Sequence, residues 1–107
     1  MIVLEFKNVK VTPGKDVTTE MRITPGDADK VEVFHFLRPH VKLYWMEFHS
    51  KTPVSHKNFS LCTNRATFVF HRCSKKGQWE MIARVQIEFR PGKATILGSF
   101  EGNIEVR

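Results

Sequence analysis

Cysteine is scarce in this chain, since only two of its 107 residues, Cys62 and Cys73, are of that type. Two thiols are too few for a disulfide scaffold and are typical of a reducing compartment, so the sequence predicts a cytoplasmic protein. We expect both cysteines to be buried or half-buried, as small apolar residues usually are. The spacing leaves open whether they are bridged.

Long apolar runs are absent as well. No window approaches the roughly 18 consecutive apolar residues that a membrane-spanning helix needs, and the opening MIVLEFKN lacks the pattern of a signal peptide. Hydrophobic residues make up 41% and charged residues 26% of the chain, which are ordinary values for a globular protein. We therefore expect one folded domain over residues 1–107 and no membrane segment.

Acidic residues are nearly absent from the middle of the chain. Between His35 and Lys76 eight lysines and arginines face a single acid, Glu47, so this segment has a formal charge of +7, whereas the flanking segments are close to neutral. The segment also holds all five histidines and seven of the twelve aromatic residues. Concentrated positive charge attracts polyanions, so the sequence favours a nucleic acid, a nucleoprotein or an acidic protein surface as the partner.

Short runs of β-branched and aromatic residues, separated by turn residues, predict an all-β fold. The predicted strands cover residues 2–11, 17–24, 31–37, 41–49, 59–62, 66–73, 78–89, 94–100 and 103–107. The third run also has near-helical spacing, but its β-branched and aromatic residues favour a strand.

The seventh run alternates apolar and polar residues with period two, which is typical of a strand with one buried face. Its predicted buried residues are Trp79, Met81, Ala83, Val85, Ile87 and Phe89. Ile82 is the only apolar residue on the opposite, polar face. The loop Ser74–Gly77 joins this run to the sixth, and pairing Cys73 with Gln78 aligns the apolar faces of both and sets His71 opposite Glu80.

Three Pro-Gly pairs, at positions 13–14, 25–26 and 91–92, have the sequence of type II turns. Proline before glycine does not fit the turns that usually close tight hairpins, so we expect wider connections here, some of them between two sheets. This favours an antiparallel β-sandwich of about 7–9 short strands, with a small closed β-barrel as the alternative.

Nine residues of the basic segment are predicted to form the binding surface. They fall in loops or at alternate strand positions, and they supply cations for phosphates and a ring for stacking. These residues are Arg38, Lys42, Tyr44, Lys51, Lys57, Arg65, Arg72, Lys75 and Lys76. The polar connection Ser50–Asn58 and the Ser74–Gly77 loop are the most favourable candidates. The hypothesis requires the cationic side chains to converge into one patch.

A second function remains open, because the run from Val41 to Phe48 is partly apolar on both alternating faces. Such a strand is either covered on both sides or exposes an apolar patch typical of a protein interface. The alternative is therefore a protein–protein interaction module, such as a viral or mobile-element inhibitor or assembly factor that binds a host or virion protein. Edge strands such as 103–107 also allow a homodimer. Five aromatic positions are expected in the core: Phe36, either Tyr44 or Trp45, Phe48, Phe68 and Phe70.

Metal binding and catalysis have little support in the residue spacing. The histidines and cysteines lack the spacings of zinc sites, and nucleophile and nucleotide-binding motifs are absent. A metal-independent ribonuclease needs a general base and a general acid. His49, His56 or His71 with Glu47 or Glu80 supply those residue types, but no spacing demands the arrangement. The sequence therefore predicts a binding protein that is not an enzyme and has no cofactor or metal.

Overall fold

The described residues of the computed structural model form nine β-strands in two sheets that pack face to face. The structure describes residues 1–35 and 38–107, without the side chains of residues 38–40, 42 and 43. The strands are β1 (Ile2–Val11), β2 (Val17–Thr24), β3 (Lys30–His35), β4 (Arg38–Glu47), β5 (Val54–Leu61), β6 (Arg65–Cys73), β7 (Trp79–Arg90), β8 (Lys93–Glu101) and β9 (Ile104–Val106).

One sheet has four strands in the order β5-β2-β1-β9, and the other has five in the order β4-β3-β6-β7-β8. Neighbouring strands are antiparallel except β1 and β9, which run parallel. The predicted β-sandwich is confirmed. The closed barrel is wrong, because each sheet keeps its own two edge strands.

The core lies between the inner faces of the two sheets. Its largest fully buried side chains are Phe68, Phe70, Phe89, Leu4, Met21, Ile23 and Ile87. The Phe6 ring meets the rings of Phe68 and Phe89 edge-on, at 6.0 and 5.1 Å between centroids, a geometry that suits the quadrupoles of aromatic rings. Of the aromatic residues expected in the core, Phe48, Phe68 and Phe70 are buried, Tyr44 is half-buried, Trp45 is exposed, and Phe36 lies outside the described residues.

The predicted strands match the observed ones with one large difference. The fifth begins at Val54 and not at residue 59, so the predicted long connection Ser50–Asn58 is wrong in its second half. Antiparallel pairing with β2, from Val17↔Leu61 to Ile23↔Val54, gives this polar segment its backbone partners and overrides its weak strand propensity. The third run is a strand, as predicted, over residues 30–35, and positions 36 and 37 lie outside the described part of the chain.

The Pro-Gly turns differ from one another. The pair at 25–26 lies in the connection between β2 and β3 and carries the chain from one sheet to the other, as expected for some of them. The pair at 91–92 closes a two-residue hairpin between Arg90 and Lys93, so the expected wide connection is wrong there. Gly92 makes this turn possible, because its φ is 80° and its N–H donates to the Val9 carbonyl at 2.8 Å. The pair at 13–14 also closes a hairpin, where Lys15 and not glycine has positive φ.

A β-bulge in β7 changes which way its first residues point. Cys73 pairs with Trp79 and His71 with Met81, but Phe70 pairs with Ala83, so Ile82 is an extra residue without a partner in β6. One extra residue moves the side chains on either side of it to opposite faces of the sheet. The predicted Cys73–Gln78 register and the His71–Glu80 pair are wrong, because the connecting loop is one residue longer than expected, over residues 74–78, and the bulge adds a second shift.

The turn between β8 and β9 lies directly against this bulge. Gly102 has a φ of 94°, and a Cβ atom there would lie 2.3 Å from the carbonyl oxygen of Ile82 and 2.8 Å from the Cα of Ala83. No side chain fits this space, so the close approach of the turn to β7 depends on glycine at position 102.

Candidate functional site

The predicted basic residues do not share one surface. Four of them lie around the end of the sandwich where β6 turns into β7: Lys51, Arg72, Lys75 and Lys76. Arg65 begins β6 and lies at its opposite end, and Lys57 is exposed on β5, the edge strand of the other sheet. The side chains of Arg38 and Lys42 lie outside the described residues. The structure thus brings together only part of the predicted set.

Three of these cations have carboxylate partners from outside the basic segment. Lys51 pairs with Asp29, Arg65 with Glu88 at 3.0 Å, and Arg72 with Glu80 at 3.5 Å. The pairs with Asp29 and Glu80 offset positive charges that the hypothesis had assigned to a polyanion, whereas Glu88 is shared between Arg65 and Arg90, which lies 2.8 Å from it. The local excess of positive charge is therefore smaller than the sequence predicts.

Lys51 and Asp29 have a structural role at this end of the sandwich. The Lys51 ammonium also donates to the carbonyl of Ala28 at 3.0 Å, while the Asp29 carboxylate accepts from the Cys73 backbone N–H at 2.7 Å. The hydrogen bond from Lys51 is the main reason that the pKa of Asp29 lies below its ordinary value, and the Cys73 N–H adds to it. These contacts hold the β2–β3 connection, the β4–β5 connection and the end of β6 together.

Tyr44 faces the core side of its sheet and not the solvent. Its ring packs edge-on against His56 and Phe59 of the opposite sheet, and its hydroxyl lies 2.8 Å from Nε2 of His56. Burial raises the pKa of the Tyr44 hydroxyl. This predicted binding residue therefore joins the two sheets.

The outer face of the five-stranded sheet carries an unusual group of side chains. Lys30 is only 6% exposed, and its ammonium lies 4.5 Å from the ring centre of Trp45 and 4.0 Å from that of Trp79. Both tryptophans remain 42–45% exposed, and Met81 beside them is 48% exposed. We call Lys30, Trp45, Trp79 and Met81 the aromatic face.

Electrostatics explain why a lysine is stable in this place. Each indole presents the negative face of its quadrupole to the ammonium, and Glu32 lies 3.4 Å from it. Nδ1 of His71, on the neighbouring strand, is buried without a hydrogen bond and lies 4.0 Å from the Glu32 carboxylate. Burial lowers the pKa of His71, Lys30 lowers it further, and Glu32 opposes the shift. The imidazole is therefore neutral at pH 7.

Cationic side chains border the aromatic face on one side. Lys75 and Lys76 are exposed in the loop that ends at Trp79, and a hydrogen bond of 2.9 Å from the Gly77 N–H to the Ser74 carbonyl closes this loop. Arg72 points to the opposite face of the sheet, because it pairs with Glu80 whereas its neighbour Cys73 pairs with Trp79. The loop lysines are thus the predicted cations that adjoin exposed aromatic rings.

The sequence pattern did not indicate the aromatic face, although apolar and polar residues do alternate along β7. The predicted burial of Trp79 and Met81 is wrong, because the bulge turns both side chains outward although they are in phase with the buried Ala83, Val85 and Ile87. The one available signal was Ile82, the apolar residue on the polar side of the pattern. Lys30 precedes the basic segment between His35 and Lys76, so the charge of that segment gave no indication of it.

The described residues contain neither a metal-ligand cluster nor a membrane-spanning helix. Within them, no group of three or more histidine, cysteine, aspartate or glutamate side chains is arranged to hold a metal ion. No helix of the described chain has the length and apolarity needed to cross a membrane. Comparison with protein-family models, curated proteins and solved structures found no match for this chain.

Proposed function

We propose that this chain is a non-catalytic protein-interaction module that docks through the aromatic face. The observation that carries this proposal is the pair of half-exposed tryptophans that contact one buried ammonium on the outer face of the five-stranded sheet. Tryptophan and methionine are enriched in protein interfaces, and tryptophan is among the residues that contribute most to binding.

The geometry of Lys30 also reduces the cost of docking. Because both rings contact the same ammonium, their positions are largely set before a partner arrives. A side chain that is already ordered loses less conformational entropy on binding. Trp45 and Trp79 are therefore suited to act as anchors, and Met81 adapts to the shape of the partner.

The partner expected here is a protein surface with an apolar centre and carboxylates beside it. Lys75 and Lys76 border the aromatic face, and the chain as a whole has a formal charge of +6. Charge complementarity of this kind speeds association and sets orientation, while the apolar anchors supply most of the affinity. A small inhibitor or assembly factor, as in viruses and mobile elements, would use such a surface.

Single-stranded nucleic acid is the competing partner class. Exposed rings beside lysines also provide stacking faces and phosphate contacts. We place it second because two predicted cations lie away from this face: Arg65 lies at the opposite end of β6, and Arg72 points to the opposite face of the sheet and pairs with Glu80. The two classes differ in their salt dependence, since contacts to phosphates release counterions.

The experiment compares the immobilised wild-type chain with Trp79→Ala in nuclease-treated extract of the native cell. Arg22→Ala, an exposed residue on the outer face of the other sheet, is the matched control. We expect one protein to be captured by wild type and control in equal amounts. Trp79→Ala should lose it by about 30-fold in affinity, since an anchor residue is worth about 2 kcal/mol or more.

Three outcomes contradict the proposal. If Trp79→Ala captures as much of the protein as wild type, the aromatic face is not the docking surface. If Arg22→Ala loses the captured protein, the docking surface lies on the opposite sheet. A labelled oligothymidylate bound by the wild-type chain, with affinity that falls steeply as salt rises, assigns the face to nucleic acid.

A further inference from the structure

Both cysteines are free and exposed, so the expectation that they are buried or half-buried is wrong. Cys62 follows the last residue of β5, at the edge of the four-stranded sheet, and His35 ends β3 in the five-stranded sheet. The Cys62 sulfur lies 2.9 Å from Nε2 of His35 and 4.0 Å from its Nδ1. Nε2 is therefore the nitrogen that interacts with the thiol.

A thiol beside an imidazole is chemically different from an isolated thiol. The thiolate is the nucleophilic form of cysteine, and a base within hydrogen-bond distance accepts the proton as the sulfur attacks. Exposure matters equally, since a buried cysteine is inert even when a base is present. Cys62 meets both conditions.

Space for a small molecule adjoins this sulfur. An open groove of about 480 Å³ lies at the end of the sandwich where β2 begins and β5 ends, and Cys62 is one of its lining residues. The other lining residues are Asp16, Val17, Thr18, Ser60 and Leu61. The site lies at the far end of β3 from the aromatic face, because β3 begins at Lys30 and ends at His35. It is therefore independent of the proposed docking function.

Cys73 provides an internal comparison. It is also exposed, and its backbone N–H donates to Asp29. Within the described residues, no imidazole nitrogen lies within hydrogen-bond distance of its sulfur. The chain thus holds two accessible thiols, of which one has a base.

We propose that Cys62 is a nucleophilic modification site for small soft electrophiles, hydroperoxides in particular, with His35 as its base. In the reaction with hydrogen peroxide, the Cys62 sulfur forms a bond to one oxygen while the O–O bond breaks. The thiol proton passes through Nε2 of His35 to the departing hydroxide, which leaves as water. The sulfur is oxidised to a sulfenic acid and the peroxide is reduced.

The test measures alkylation of both thiols in the same folded chain by a limiting amount of iodoacetamide, followed by mass spectrometry of the peptides. We expect Cys62 to react roughly tenfold faster than Cys73, or more. His35→Gln should lower the alkylation rate of Cys62 to that of Cys73 and leave the rate of Cys73 unchanged. His71→Gln is the control and should leave the ratio of the two alkylation rates unchanged. After hydrogen peroxide, dimedone should label Cys62 before Cys73.

Equal rates in the wild-type chain overturn the proposal, as does a rate ratio that survives His35→Gln. If His35→Gln does not fold, the unfolded wild-type chain provides a second test. In concentrated urea the wild-type ratio should fall to about one, because His35 and Cys62 are 27 residues apart and meet only in the folded chain. A ratio that persists in urea means that local sequence, and not His35, determines the reactivity.

Discussion

The outer faces of the two sheets present different chemistry to the solvent. On the four-stranded sheet, Glu5 lies opposite Arg22 and Lys7 opposite Glu20, so charges of opposite sign alternate across neighbouring strands. On the five-stranded sheet, the aromatic face concentrates two tryptophans and a methionine around one buried lysine. The same fold thus has a well-solvated side and a side that leaves large apolar surface in water.

This difference shows that net charge alone is a poor guide to the contact surface. The charged outer face has alternating signs and produces little net field, whereas the aromatic face has few charges and leaves apolar area available for burial. Exposed apolar patches rimmed by polar residues are typical of interaction sites. The distribution of side chains between the faces is therefore more informative than their number.

The largest expected effect comes from Gly102, which lies against the bulge that turns Trp79 outward. Gly102→Ala places a methyl group against the backbone of Ile82, and we expect a loss of roughly 1–3 kcal/mol beyond the strain of positive φ. Gly77→Ala is the matched control, since Gly77 also has positive φ, at 79°, but nothing lies within 4 Å of its Cβ position. Urea denaturation measures both. Equal losses would mean that the turn does not constrain the bulge.

The next largest effect is a difference in stability between the loss of Lys30 on the aromatic face and the loss of Arg22 on the outer face of the other sheet. Lys30→Ala should lower the free energy of unfolding by about 1–3 kcal/mol, because it removes two cation–π contacts and the partner of Glu32. Arg22→Ala should cost no more than about 1 kcal/mol, and high salt should abolish that cost. Urea denaturation at low and high salt compares them. A Lys30→Ala effect that disappears at high salt would contradict the burial of the Lys30 ammonium between these groups.

The smallest expected effect is the pH response of the aromatic face. Burial places the pKa of His71 below the 6.5 of the unfolded chain, so the unfolded state takes up a proton first as the pH falls. The stability that His71 contributes is complete above pH 6.5 and is lost as the pH falls through its lowered pKa. Lys30 and Glu32 are the charged groups that face it.

Urea midpoints measured at falling pH for wild type, His71→Gln and His49→Gln test this response. His71→Gln should flatten the loss below pH 6.5, whereas His49→Gln should leave it unchanged, since the His49 side chain is 84% exposed. A steeper loss in His71→Gln would show that the imidazole is charged in the folded chain.

Strand periodicity predicted most of the fold. The β-branched and aromatic runs indicated all nine strands, and turn residues indicated most of their boundaries. The first half of β5 was missed because its polar residues have little strand propensity, and their pairing with β2 depends on tertiary structure. The bulge at Ile82 escaped because one inserted residue changes the facing of a strand without changing its composition.

The candidate site was less predictable than the fold. The partners of Lys51, Arg65 and Arg72 come from flanking segments, so counting charge along the chain could not reveal that these cations have carboxylate partners. The contact between Cys62 and His35 joins two sheets, and the exposure of both thiols reversed the usual burial preference of cysteine. Such contacts depend on tertiary structure, which local pattern does not encode.

Gly102 has one more consequence, which concerns how sensitivity to mutation is interpreted. A saturation scan scored by partner capture would return position 102 alongside Trp79, although a residue with no side chain offers a partner very little to hold. Its contribution is the room it leaves for β7. Variants at position 102 would lose partner capture because Trp79 would no longer be positioned correctly. A map of sensitive positions should therefore be corrected for folding before it is used to define the residues that contact the partner.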